Sequence, residues 1–166
     1  MRRSSTMIQR KQTLFLLAAA LLCGLSFVFP IARYTASSPQ VMYELGTRQV
    51  YDTVQGVPVV DAPLKYPIWL LYALLGAVML VDVFLFKNRK QQLTILRSSW
   101  ILILLLAVVQ VVTHQSVSAY LNAGRHLGSG LGPVMFFPLG ILLFMYMAQR
   151  GIQKDEELVR SMDRLR

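Results

Sequence analysis

The stretch that decides the fold is Ser98–Leu121, SSWILILLLAVVQVVTHQSVSAYL. From Trp100 to Val109 its only polar side-chain group is the indole N–H of Trp100. At about 1.5 Å per residue, a helix of this length crosses a hydrocarbon core of roughly 30 Å. Beyond the middle of the run sit Gln110 and His114, one helical turn apart, with Ser118 a further turn on. They draw a polar stripe along an otherwise apolar rod.

Three similar runs accompany it. Thr13–Ala32 follows a short basic tail, Tyr66–Phe86 follows the longest polar segment, and Gly132–Gln149 precedes a charged C-terminus. The pattern predicts one four-helix membrane domain over residues 1–166. Its spans are 13–32, 66–86, 98–121 and 132–149, its extracytoplasmic loop is 33–65 and its tail is 150–166. The expected fold class is an all-α membrane protein. It is a four-transmembrane-helix bundle with a small antiparallel sheet in the first outer loop and a cytoplasmic C-terminal helix.

Composition agrees with a membrane setting. The chain has 166 residues, 55% of them hydrophobic, with a mean hydropathy of +0.50. Its net charge of +9 comes from 17 basic and 8 acidic residues. Such a balance often marks a nucleic-acid binder. Here the bases cluster beside the apolar runs, where positive-inside topology needs them, so no nucleic-acid partner is expected. The single cysteine, Cys23, excludes an internal disulfide and a Cys-x-x-Cys redox pair. The two histidines, His114 and His126, stand in no helical pattern that would hold a metal, so neither cofactor nor metal is expected.

The basic-then-apolar start resembles a signal peptide, but the run is long for one and no small-x-small cleavage site follows. It reads as a retained helix. Ala20 and Gly24, four apart, would let a neighbour approach closely. In the loop, VMYEL (Val41–Leu45), RQVYDTV (Arg48–Val54) and VPVV (Val57–Val60) alternate β-formers with polar residues between glycine breaks. This predicts two or three short antiparallel strands, with Pro58 at an edge or bulge. Tyr66, Trp69 and Tyr72 read as an interfacial aromatic belt. The glycine-rich segment 122–131 reads as a turn, and Pro138 as a slight bend within the last span.

Orientation follows from the bases. The N-terminal tail holds four, the connector 87–97 four and the segment after Gln149 five, against four on the opposite side. Both termini should therefore be cytoplasmic and the strand-forming loop outside. In the tail, Glu156 and Arg160 form an i,i+4 pair, and Ile152, Val159, Met162 and Leu165 an apolar stripe.

Three intramembrane polar residues are the candidate sites: Gln110, His114 and Asp82. Gln110 and His114 suit either a proton relay or interhelical hydrogen bonding. Bonding is favoured, since no carboxylate lies at their depth. Asp82, the one carboxylate inside an apolar run, should pair near the membrane edge with a base such as Arg97, Lys11 or Arg10. Arg125 and His126 read as a solvated outer turn.

MIQRKQTLFL (Met7–Leu16), FKNRKQQ (Phe86–Gln92) and AQRGIQKDEELVRSMDRLR (Ala148–Arg166) resemble the domain-of-unknown-function 4293 proteins of Bacteroidota-type bacteria. The resemblance runs from Met7 to the end and is most specific in the tail. It implies a bacterial inner-membrane protein with four helices and implies no activity. The functional expectation is a non-catalytic accessory, scaffold or assembly protein. Its partners are the lipid bilayer and another membrane protein or a second copy of itself. The competing class is a small transporter or membrane enzyme that uses the Gln110–His114 stripe.

Overall fold

The computed structural model describes residues 11–37, 40–59, 61–85, 88–123 and 126–164. Four helices carry the chain: α1 (Lys11–Leu25), α2 (Ile68–Phe84), α3 (Arg89–Leu121) and α4 (Phe137–Arg164). Five strands sit between them: β1 (Ala32–Ser37), β2 (Gln40–Leu45), β3 (Val50–Asp52), β4 (Val57–Pro58) and β5 (Gly128–Leu131). All pairings are antiparallel, in the order β4-β3-β2-β1-β5.

This corrects the all-α, four-transmembrane-helix expectation. Among the described residues, four helices combine with a five-stranded sheet, and two of the helices are long and apolar enough to cross a membrane. These are α3, with 33 residues, and the segment Pro133–Lys154, with 22. Helix α1 has 15 described residues and α2 has 17. They extend only about 22 and 25 Å, short of a hydrocarbon core of roughly 30 Å. The first apolar run does not stay helical to Ala32. Helix α1 ends at Leu25, a turn occupies 26–28, and the backbone N–H of Ile31 already donates to the Leu45 carbonyl at 2.7 Å. Hydrophobicity alone does not distinguish those last residues from helix, because Ile31 is buried just before β1 and Ala32 and Tyr34 are buried within it.

The sheet is larger than the alternation predicts, because two segments of weak β-propensity join it. Strand β1 (ARYTAS) pairs with β2 along its whole length, from Ala32 opposite Leu45 to Ser37 opposite Gln40. Its other edge takes β5, the GSGL expected to be part of a turn. Pairing supplies what propensity lacks. Pro58 lies in the edge strand β4, where its missing N–H costs no ladder bond. Arg33 and Glu44 face each other across the β1–β2 pair and form an exposed ion pair at 2.8 Å.

Two backbone segments touch where β5 leads into α4. The N–H of Gly132 donates to the Ile31 carbonyl at 2.8 Å. A Cβ at that position would lie 2.2 Å from the Pro30 carbonyl oxygen, so only glycine permits the approach. A 3-10 turn over Pro133–Phe136 then runs into α4. Pro138 falls in the first turn of α4, where a missing N–H breaks no helical bond, so the slight bend expected there has no cause. Helix α4 continues past Gly151 to Arg164 without interruption. The Glu156–Arg160 pair and the stripe residues beyond Ile152 lie outside the side chains described.

Helices α1 and α3 are each flanked by α2 and α4. The core between them is apolar and includes Leu16, Leu75, Met79, Leu96, Ile103, Leu106 and Ile141. Small residues set the α1–α4 spacing: a Cβ on Gly140 would meet Leu22 at 3.0 Å, and one on Gly151 would meet Gln12 at 3.4 Å. The outward faces are apolar too. Ile101, Leu104 and Val108 on α3 and Leu139 and Leu143 on α4 are all more than half exposed. The connections are such that the sheet gathers at one end of the helices, and the α2–α3 connection lies at the other.

Candidate functional site

The polar stripe of α3 lies at the sheet end and meets two buried tyrosines. Gln110 is 1% exposed. Its Oε1 accepts from the Tyr72 hydroxyl at 2.9 Å, and its Nε2 donates to the Val134 carbonyl at 2.9 Å and to Met135 Sδ at 3.6 Å. One amide thereby ties α3 to α2 and to the 3-10 turn. The Val134 carbonyl takes this bond in addition to the one from the Phe137 backbone N–H.

His114, one turn further, meets Tyr34 of β1. The Tyr34 hydroxyl lies 2.8 Å from His114 Nδ1 and donates to the His114 carbonyl at 3.2 Å. A hydroxyl has one proton. Both contacts are satisfied together when Nδ1–H donates to the Tyr34 oxygen while Tyr34 donates to the carbonyl, which assigns the neutral ring its Nδ1-protonated form. The two rings also stack, with centroids 5.7 Å apart. Tyr34 is fully buried, and that burial holds its hydroxyl above the usual tyrosine range, so it stays a neutral donor. Ser118 closes the helix end instead of extending the stripe, and its carbonyl and hydroxyl accept from the Asn122 side chain.

Asp82 sits at the opposite end of the molecule, and the fold does not bring it to the stripe. Gln92, whose Nε2 donates to the Asp82 backbone carbonyl at 3.0 Å, is 18 positions before Gln110 on α3, or about 27 Å along the axis. The Asp82 carboxyl is fully buried, and neither oxygen has a hydrogen-bond partner. Among the described residues no base pairs with it: Arg97 lies on the exposed face of α3, and the side chains of Arg10 and Lys11, the other expected partners, lie outside those described. Arg125 lies outside the described residues, and His126 is exposed. Among the described residues, no three His, Cys, Asp or Glu side chains gather as a metal would require.

The family whose description is "Domain of unknown function (DUF4293)" matches residues 8–165. The chain belongs to the DUF4293 family. No curated protein resembles it closely enough to add a relative. The arrangement of Tyr34, Tyr72, Gln110 and His114 is therefore what this DUF4293 member offers as a starting point for function.

Sequence reasoning finds Gln110 and His114 but misses their partners. The interfacial-belt pattern includes Tyr72, yet Tyr72 is fully buried, whereas Tyr66 and Trp69 are 49% and 39% exposed as a belt requires. Tyr34 carries no expectation from its sequence context. The signal exists in general form: a buried tyrosine hydroxyl needs a partner, and so does a buried amide or imidazole.

Proposed function

We propose that this chain is a non-catalytic, membrane-embedded accessory or scaffold protein acting through partners. The observation that carries the reading is the engagement of the stripe. Both polar ends of Gln110 are bonded inside the fold, and His114 is held by Tyr34. Polar groups engaged in this way knit helices together and are not presented to a substrate. In this reading α3 and α4 cross the bacterial inner membrane. The basic 87–97 connector and the C-terminal segment lie inside, and the connection between α3 and α4 lies outside. The exposed sheet and the charged end of α4 are the contact surfaces for a second membrane protein or a second copy.

Two experiments test this. Alkaline phosphatase fused after Ala123, between α3 and α4, should be active, and fused after Arg89 inactive; the reverse overturns the orientation. His114→Gln should be mild, and His114→Leu should cost about 1–2 kcal/mol through the lost bond. Assembly preserved in both variants with physiological function lost in both would replace the scaffold reading by transport or catalysis.

The second reading, movement of protons or cations, is favoured by one observation: Asp82, a buried carboxyl with neither oxygen partnered. Buried ionisable groups in membrane helices mark ion pathways often enough to require the test. Proton uptake into vesicles that is abolished by Asp82→Asn would support it.

A further inference from the structure

A groove of about 300 Å³ runs along the α1–α2 flank. That volume is at the lower end of the range of about 300–1,000 Å³ for small-ligand pockets. Its walls are small side chains: Ala20 and Gly24 on α1, and Ala73, Gly76 and Ala77 on α2. Phe27, just beyond α1, closes the end nearest the sheet. A Cβ built on Gly24 meets nothing within 4 Å, so the space beside it is open.

What stands at the closed end identifies the occupant. Arg48 is carried by the tight β2–β3 turn, which is fixed by the Gly46 N–H donating to the Gln49 carbonyl at 3.0 Å and by the buried Thr47. Its guanidinium carbon lies 5.6 Å from the centre of the Phe27 ring and 5.5 Å from that of Trp69. The two rings hold the cation in place. Among the described residues no carboxylate or carbonyl takes its N–H groups. A fixed guanidinium with free donors is a phosphate receptor, matched in geometry to two oxygens at once. It stands where an apolar groove reaches the sheet, the level of a bilayer surface when the helices lie in lipid.

We propose that this groove holds one acyl chain of an anionic phospholipid whose phosphate is bound by Arg48. The inference rests on the membrane reading above and assigns a ligand to a surface that reading leaves unassigned. A partner helix would also fit small residues, but it would have to bring its own acid to Arg48. A phospholipid supplies the anion and the apolar chain in one molecule.

The test is native mass spectrometry of the full chain, released from vesicles containing equal dioleoyl phosphatidylglycerol and dioleoyl phosphatidylcholine. One phosphatidylglycerol should be retained per chain. Arg48→Ala should lower its retention at least tenfold. Gly24→Leu, whose Cβ enters open space and whose side chain would occupy the groove, should abolish it without lowering the unfolding temperature. Retention indifferent to both substitutions overturns the proposal. So does equal retention of the two lipids, or co-release of a second protein in place of lipid. Carbonate extraction of the cell membranes separates the two failures. A chain washed off by carbonate overturns the membrane reading and this inference together. A chain that stays, with lipid retention indifferent to Arg48 and Gly24, overturns this inference alone.

Discussion

The two ends of the helix assembly treat buried polar groups in opposite ways. At the sheet end, Tyr34, Tyr72, Gln110 and His114 all have partners, and among the described residues there the Thr113 hydroxyl is the one buried side-chain group that lacks one. At the far end the Asp82 carboxyl has none, although the Gln92 amide is close enough to bond the backbone carbonyl of the same residue. The difference follows from the backbone. The sheet end is built where two separate chain segments, 26–67 and 122–136, fold against the helices, so turns and strand edges offer acceptors and bring tyrosines inward. At the far end the ties run between helices, from Gln92 Nε2 to the Asp82 backbone carbonyl and from Trp100 Nε1 to Gln149 Oε1, and neither reaches the Asp82 carboxyl. Tyr34, Tyr72, Gln110 and His114 at the sheet end are thereby ties between elements, whereas at the far end Gln92 ties α3 to α2 and the Asp82 carboxyl has no partner among the described residues.

The sharpest way to break the sheet end is at Gly132. Gly132→Ala would place a methyl 2.2 Å from the Pro30 oxygen and 2.9 Å from the Ile31 carbonyl carbon, so the backbone of one segment must move. That would undo the Gly132–Ile31 hydrogen bond and the seating of β5 on β1. A loss of about 2–4 kcal/mol is expected. Thermal unfolding in detergent measures it, and a variant as stable as the parent would show that the two segments are not held in contact.

The tyrosine ties should matter next. Tyr72→Phe removes the donor to Gln110 Oε1 and leaves a buried amide oxygen unpaired, at about 1–3 kcal/mol. Tyr34→Phe should cost less, because His114 is only partly buried and water can reach it in place of the hydroxyl. Comparing the two unfolding temperatures checks the order; equal losses would contradict the idea that burial of the partner sets the cost.

How much of the fold is legible in the sequence differs between the same two ends. The apolar runs and the polar stripe are periodic, local signals, and helices do form at all four runs. Strand formation over 40–58 is likewise visible in its alternation. The partners of the stripe are not, because Tyr34–His114 and Tyr72–Gln110 join residues 80 and 38 positions apart, and no local period encodes such a pairing. β5 is hidden for a related reason. GSGL has the composition of a turn and becomes a strand only because β1 presents an open edge to it. The lengths of α1 and α2 mislead in another way. Residues 26–32 are as hydrophobic as a helix end, but the chain turns at 26–28, leaves Phe27, Val28 and Phe29 exposed and buries Ile31 and Ala32 where it enters the sheet.

The far end gives a prediction of opposite sign. If Asp82 has no role beyond its place in the fold, removing an unpartnered buried carboxyl should stabilise the protein. Asp82→Leu should raise stability by about 1–2 kcal/mol. An unfolding temperature that rises, with partner binding intact, marks Asp82 as an unrelieved cost of the helical end. A variant that folds but loses physiological function would instead mark it as the reason the carboxyl is kept, and would favour the ion-moving reading.

The smallest effect is expected at Cys23, which lies between the two ends. Its side chain is 2% exposed, and it borders the α1–α2 groove beside Gly76, where an added Cβ would sit 3.2 Å from its own. The tie it takes part in is made by the backbone: its carbonyl accepts from the Ser26 hydroxyl at 2.7 Å, and Cys23→Ala leaves that bond in place. What is lost is one sulfur atom of packing against a groove that is already open on one side. The cavity created is therefore continuous with existing space rather than newly enclosed, and the cost should stay below about 1 kcal/mol. Cys23→Ser is the informative companion. It is close in size but adds a stronger hydroxyl donor and acceptor, and in a helix it can turn that hydroxyl back to the carbonyl four residues before. Near-parental stability in both variants fits a cysteine acting only as a small apolar side chain. Loss of function in both, with the fold retained, would give the thiol a chemical role that its burial argues against.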